Sequence, residues 1–235
     1  MGDDKPHLMT ITQHLEELRT RLKYAFYALA AGVIVSYIFS DALFVLLAQP
    51  LVRAWGDAGL GAPKIHFANP IEPFFTYLKI SLLSGIFVAS PVVFYNLWKF
   101  VAPGLYKHEK RYVIPFSVIS AAFFIGGGCF GYFVVFPYGF VFFLGHAQRN
   151  VGSMAKLFGK SARLSVGQTF TLKPTLMMGE YFGLVWRLLL AFGIVFELPL
   201  VIVFLSMAGL VSARALWRFN RYFIVLAFTL SAVLT

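Results

Sequence analysis

Charge is scarce in this chain. Of its 235 residues only 13% are Asp, Glu, Lys or Arg, where soluble domains average about 25%. That shortage excludes an ordinary solvated surface. Together with 59% hydrophobic and 18% aromatic residues and a mean hydropathy of +0.77, it gives the profile of a polytopic membrane protein. Cysteine is nearly absent: Cys129 is alone, so no intrachain disulfide can form and the redox compartment is not legible. The five histidines, His7, His14, His66, His108 and His146, are scattered without metal-ligand spacing. There is no G-x-S-x-G, no phosphate-binding loop and no H-E-x-x-H, so nothing points to a hydrolase, a nucleotide enzyme or a metal or other cofactor. The first 23 residues are polar and amphipathic, without the apolar centre and cleavage site of a signal peptide, so the first helix serves as its own membrane signal.

What is present is apolar length. A bilayer-spanning helix takes roughly 20 apolar residues, and five segments qualify or nearly so: about 24–47, 74–97, 112–136, 183–210 and 218–235, with outer loops at about 48–73 and 138–182. Unpaired backbone groups are too costly in lipid for these spans to be anything but helical. The expectation is therefore an all-α integral membrane bundle forming one domain over residues 1–235, preceded by an amphipathic helix within 1–23. Only 14 uncharged residues, Tyr222 to Thr235, form the core of the last segment, so either the bilayer thins there or Trp217–Arg221 supply the missing turn. The ending at Thr235 reads as a chain stopped after its fifth span.

The net charge of +10 could suggest nucleic acid as a partner. The basic residues instead lie in the breaks between apolar runs, which is the pattern of membrane topology, with lipid as the surrounding partner. With the N-terminus inside, eleven Lys and Arg fall on inner regions and nine on outer ones. Weighting those close to the spans favours a cytoplasmic N-terminus. Trp98 and Trp217 then mark inner ends, Trp55 and Trp186 outer ends.

Three stretches carry polar chemistry. In "FGIVFELPLVIVFL", Glu197 lies ten residues past Arg187, about 15 Å along a helix and close to mid-bilayer. A carboxylate at that depth costs about 2.5–3.5 kcal/mol on insertion scales, and such residues are usually functional. Pro199 removes an amide and frees the carbonyl of Val195 one turn away. Glu197 either makes a structural hydrogen bond to another helix or lines a polar groove that receives a partner or substrate; the second is the sharper reading. In "TITQHLEELRTRLKYAF", Thr10 and Gln13 have the spacing of a helix-capping pair. Ile11, Leu15, Leu18 and Leu22 form an apolar stripe for the membrane surface or the bundle, and Glu16/Arg19 and Glu17/Arg21 are spaced to pair. A solvated, salt-bridged face is the plain reading of this stretch. In "NLWKFVAPGLYKHEKRYVIPF", Pro103–Gly104 breaks the helix and leaves Glu109 as the one acid among Lys99, Lys107, Lys110 and Arg111. Taken alone, that is an interfacial basic belt. "GGGCFG", Gly126–Gly131, reads as close helix packing or a kink rather than a site.

Together these stretches resemble a known family. "HLEELRTRL" before the first span, "LWKFVAPGLYKHEKR" after the second, "GYFVVFP" ending the third and "FGIVFELP" in the fourth are similar, in order, to TatC. That is the polytopic receptor subunit of the twin-arginine, Sec-independent protein translocase. The resemblance implies a glove-like bundle with a concave face and a cap rich in proline, five spans being present of an expected six. It implies a bacterial inner-membrane receptor, not an enzyme, that binds twin-arginine signal peptides of folded cargo at the cytoplasmic face. Assembly with the single-span subunits TatA and TatB, self-association in a receptor complex and export driven by the proton-motive force follow from the same resemblance. By motif, Glu17 and Arg19 match functional positions of the first stretch, and Phe100, Pro103, Tyr106 and Glu109 the recognition positions of the inner loop. Pro50 matches the proline that opens the outer cap, and Glu197 the intramembrane acid. Guanidinium groups suit bidentate carboxylates, so Glu17 and Glu109 are expected to converge on one site, although Glu16 offers a second acid beside Glu17. The second outer loop is longer than the family's usual one, and the sixth span is missing. The other reading is a small proton-coupled transporter using Glu197, for which no internal repeat is evident. An intramembrane hydrolase with His146 as base is disfavoured, since His146 falls in a loop.

Overall fold

The computed structural model describes residues 11–59, 63–101, 113–145 and 175–207, with short helical pieces at 224–225 and 228–229. Within these residues the chain is helical apart from turns and two strands of two residues each. Helix α1 covers Ile11–Ile38 and α2 covers Ser40–Asp57. After a turn and strand β1 (Ile65–His66), α3 runs Glu72–Val101. Helix α4 begins as Val113–Phe130, passes through a π-helical turn, Gly131–Val135, and continues so that the whole rod spans Val113–Gly145. Strand β2 (Leu176–Met177) leads directly into α5, Met178–Met207.

By length and composition, α3, the α4 rod and α5 can each cross a membrane, and α1 with α2 would count as a fourth span if the bent pair is taken as one. The apolar run of 24–47 is therefore not one straight rod. It bends by 81° at Phe39, which sits at φ −99°, ψ 16°. Ser40 and Asp41 follow, residues that compete for backbone hydrogen bonds inside a helix and are at ease in a first turn. The last segment of the sequence reading, 218–235, lies largely outside the described residues.

Glycines decide how closely the rods approach. Helix α1 lies along α3, and a Cβ on Gly85 would come within 2.7 Å of the Val33 backbone nitrogen, one on Gly32 within 2.8 Å of the Gly85 oxygen. In the α4–α5 seam a Cβ on Gly127 would run into the Phe192 carbonyl, and toward α3 one on Gly128 would meet the Phe87 ring at 2.5 Å. The glycine run is thus a packing surface, as small residues are in lipid, where backbone proximity replaces hydrophobic drive.

The bundle has two unlike ends. At the cap end, α2 seats Leu47, Ala48, Leu51 and Trp55 on Ile80 and Leu83 of α3, Phe136 of the α4 rod and Tyr181, Phe182, Val185 and Leu189 of α5. Strands β1 and β2 pair in parallel there, Ile65 with Leu176 and His66 with Met177. Glu72 clamps the same end, its carboxylate accepting from the amides of Ala68 and Gly179. The opposite end holds the start of α1, the end of α3, the start of α4 and the last turns of α5.

Candidate functional site

At that opposite end, α1 and α3 meet ring on ring. The His14 and Phe100 rings stack with centroids 4.6 Å apart and planes 18° from parallel. One turn along α1 from His14, the Arg21 Nη2 donates to Glu17 Oε1 at 3.2 Å, the i,i+4 pair that the spacing predicts. The pair is half-buried, 20% exposed at Glu17 and 22% at Arg21. Both partners keep an unused buried atom: among the described residues, Glu17 Oε2 and Arg21 Nε have no hydrogen-bond partner. A buried carboxylate oxygen without a donor is an acceptor for an incoming cation. The aliphatic stripe beside them does not pack inward, since Leu15, Leu18 and Leu22 are all exposed.

Of the residues expected at this site, Glu17, Arg19 and Phe100 are described, and α1–α3 packing brings Glu17 and Phe100 to the same end of the bundle. Arg19 and Glu16 are exposed. Pro103, Tyr106 and Glu109 lie outside the described residues, and so does any meeting of Glu109 with Glu17.

Deeper along α5, Glu197 is 8% exposed and lies one turn past Gly193, which packs on Phe124 of α4, so that it faces the Ser120 turn of that helix. Among the described residues its Oε1 has no hydrogen-bond partner. Ser120 is fully buried and accepts a 2.8 Å hydrogen bond from the indole N–H of Trp98 on α3. Trp98, Ser120 and Glu197 thus form a polar chain across three helices. Around it, Trp98 packs on Phe116 and Phe204 with centroids at 5.3 and 4.6 Å. Arg187 does not take part, because its Nε donates to Gly183 O one turn back. The sequence reading missed Trp98 and Ser120 as partners of the acid. A usable signal was present: serine 120 interrupts an apolar helix and one buried acid needs donors.

Pro50 sits inside α2 rather than at a break, and is itself buried. Having no N–H, it leaves the Leu46 carbonyl without its helical donor. The Tyr132 hydroxyl supplies one at 2.7 Å, and the Tyr181 hydroxyl donates to the neighbouring Leu47 carbonyl at 2.6 Å. Pro91 is served in the same way: Ser90 Oγ donates at 2.7 Å to the Phe87 carbonyl it frees. For Pro199, no side-chain donor among the described residues reaches the Val195 carbonyl. Among the described residues no His, Cys, Asp or Glu group is arranged to hold a metal.

Comparison with known proteins agrees with this layout. The family model for the Sec-independent protein translocase protein TatC matches residues 13–235. The chain is 43% identical over 224 residues to the Sec-independent protein translocase protein TatC of Desulforapulum autotrophicum, covering 95% of this chain and 74% of that one. It is 35% identical over 226 residues to the TatC of Aquifex aeolicus, covering 96% and 84%. Two crystal structures of a twin-arginine translocase receptor, TatC, superpose with TM-scores of 0.71 and 0.73 at 33% and 35% identity, each covering 94% of this chain and 87% and 86% of the other. Matched along nearly its whole length in sequence and in fold, the chain belongs to the TatC family of Sec-independent protein translocase proteins.

Proposed function

We propose that this chain is the receptor of a twin-arginine translocase in the bacterial inner membrane. Its N-terminus lies in the cytoplasm, so the end carrying His14, Glu17 and Phe100 faces the cell interior and the α2 cap faces out. The signal arginines of a folded cargo protein are held by Glu17 with Glu109, and Phe100, Pro103 and Tyr106 shape the rim around them. Arg19 is exposed, two residues from each member of the pair and on the other side of α1. Once cargo is bound, TatA and TatB assemble on the receptor, copies of the chain associate in the complex, and the proton-motive force drives export. Glu197 serves as the polar point in the wall that an inserted signal or a partner helix meets. Pro50 shapes the outer cap.

The observation that supports this reading best is the unfilled pairing capacity of Glu17. Its Oε1 is held by Arg21, its Oε2 is buried without a donor, and Phe100 of the recognition loop's flank is stacked next to it on His14. Short-range carboxylate contacts must overcome repulsion from the basic loop, which acts over a Debye length of about 8–10 Å. Only desolvated, directional pairs are strong enough for that.

The test is equilibrium binding of a twin-arginine peptide to the chain in native-like lipid. Wild type binds; Glu109→Lys abolishes binding, and peptides with Lys in place of either Arg bind more weakly, since a lysine ammonium cannot form the bidentate fork. Equal affinity across all of these overturns the reading. The proton-coupled transporter is set aside by membership in a protein translocase family, and no observation here favours it.

A further inference from the structure

Helix α3 ends with two aromatic residues that point to different partners. Phe100 stacks on His14 of α1, beside Glu17. Trp98, two residues earlier, faces the opposite way into α4 and α5, donating to Ser120 and packing on Phe116 and Phe204. Two residues are about 200° of helical rotation and about 3 Å of rise. The last turn of α3 therefore touches His14, one turn from Glu17, on one side and the residues that face the buried acid on the other.

The chemistry at Ser120 makes the second contact directional. A serine hydroxyl has one proton and can accept as well as donate. Trp98 Nε1–H donates into its oxygen and, among the described residues, the hydroxyl makes no bond back to its own helix, so its one proton is turned to the α5 seam that Glu197 faces. Without the indole, the hydroxyl is free to turn back and bond the carbonyl of Phe116 one turn earlier, as helical serines do. Ser117 does this with Val113 at 2.6 Å, and Ser81 with Tyr77 at 2.8 Å. The indole thus decides where the Ser120 proton points, and with it how the Glu197 carboxyl, whose Oε1 is buried without a partner among the described residues, is turned.

We infer that Trp98 and Ser120 are positioning residues for Glu197, and that the last turn of α3 couples the carboxyl's orientation to occupancy of the Glu17–Phe100 rim. The coupling rests on the receptor reading given above; the positioning does not. A peptide that displaces Phe100 from His14 moves a rigid turn, because Trp98 is wedged between two phenylalanine rings and cannot absorb the motion alone. Its shift loosens the Ser120 hydrogen bond and re-aims Glu197 inside the bundle. A buried side-chain network with two discrete arrangements is the kind of element that can carry such coupling.

The experiment is infrared difference spectroscopy of the whole chain in phospholipid nanodiscs. The Glu197 carboxyl band is assigned by subtracting the Glu197→Gln spectrum. Without peptide, Ser120→Ala and Trp98→Phe each shift that band; Trp98→Phe keeps the aromatic packing and removes only the indole N–H. Trp186→Phe, a tryptophan away from the chain, leaves it in place. A band unmoved in both variants overturns the positioning. Saturating twin-arginine peptide shifts the band in wild type and leaves it fixed in Trp98→Phe, whose affinity for the peptide stays within about threefold of wild type, less than one hydrogen bond's worth at the rim. Peptide that binds wild type without moving the band overturns the coupling. Peptide that fails to bind wild type overturns the receptor reading and the coupling with it, while the peptide-free shifts still judge Trp98 and Ser120.

Discussion

The two ends of this bundle differ in how completely their polar groups are used. At the cap end the clamps converge: Tyr132 and Tyr181 donate to α2 carbonyls, Glu72 gathers two amides, and β1 pairs with β2. At the other end, and on α5 leading to it, Glu17 Oε2, Arg21 Nε and Glu197 Oε1 are buried without partners among the described residues. Trp55 Nε1 is the cap's one counterpart among the described residues. Buried polar groups are normally satisfied, and each exception needs a reason. A cap that is closed needs only to be stable. On the receptor reading proposed above, an end that leaves donors and acceptors unused is where the signal arginines arrive.

That contrast can be broken or sharpened by substitution. Gly85→Leu should have the largest effect, about 3 kcal/mol or more, because the new Cβ meets main chain rather than a movable side chain. Thermal unfolding in detergent should fall sharply and α1 should become open to protease, with the cap's own contacts untouched. Tyr181→Phe comes next. It removes a donor from a buried carbonyl in the cap core and should cost about 1–3 kcal/mol in the same assay, with peptide binding unchanged. Tyr132→Phe should cost about 0.5–1.5 kcal/mol, and most of that cost should vanish in a Pro50→Ala background, where the restored amide serves the Leu46 carbonyl. Additive effects in that cycle would mean the tyrosine is not compensating for the proline. Arg21→Ala should be smallest in stability, below about 1 kcal/mol for a part-exposed pair. Its effect should appear in peptide affinity instead. A large loss of stability from Arg21→Ala with binding intact would erase the distinction between the two ends.

Much of the helical layout was legible in the sequence, because apolar runs and the breaks between them follow from bilayer thickness. The Glu17–Arg21 pair was legible too, since i,i+4 spacing is local. The glycine run was correctly a packing surface. The bend at Phe39 was hidden inside a run of uniform hydropathy, where only Ser40 and Asp41 hinted at it. Pairing of Ile65 with Leu176 leaves no local trace, as two-residue strands have no period to read. Tyr132, Tyr181 and Trp98 were visible only as aromatics, because what their polar atoms reach is settled by tertiary placement. Proline gave the general clue: each one inside a span orphans a carbonyl, and for Pro50 and Pro91 the search for a donor ends at Tyr132 and Ser90.

The π-helical turn at Gly131–Val135 has a consequence for how the third rod can be used. One surplus residue in the winding sets everything downstream back by about 100° relative to a regular helix. Upstream, Gly127 and Phe124 address the middle of α5; downstream, Phe136 and Phe140 address the cap. The rod therefore has two independent phases on one backbone, and its halves can satisfy different neighbours without either half dictating the other's heading.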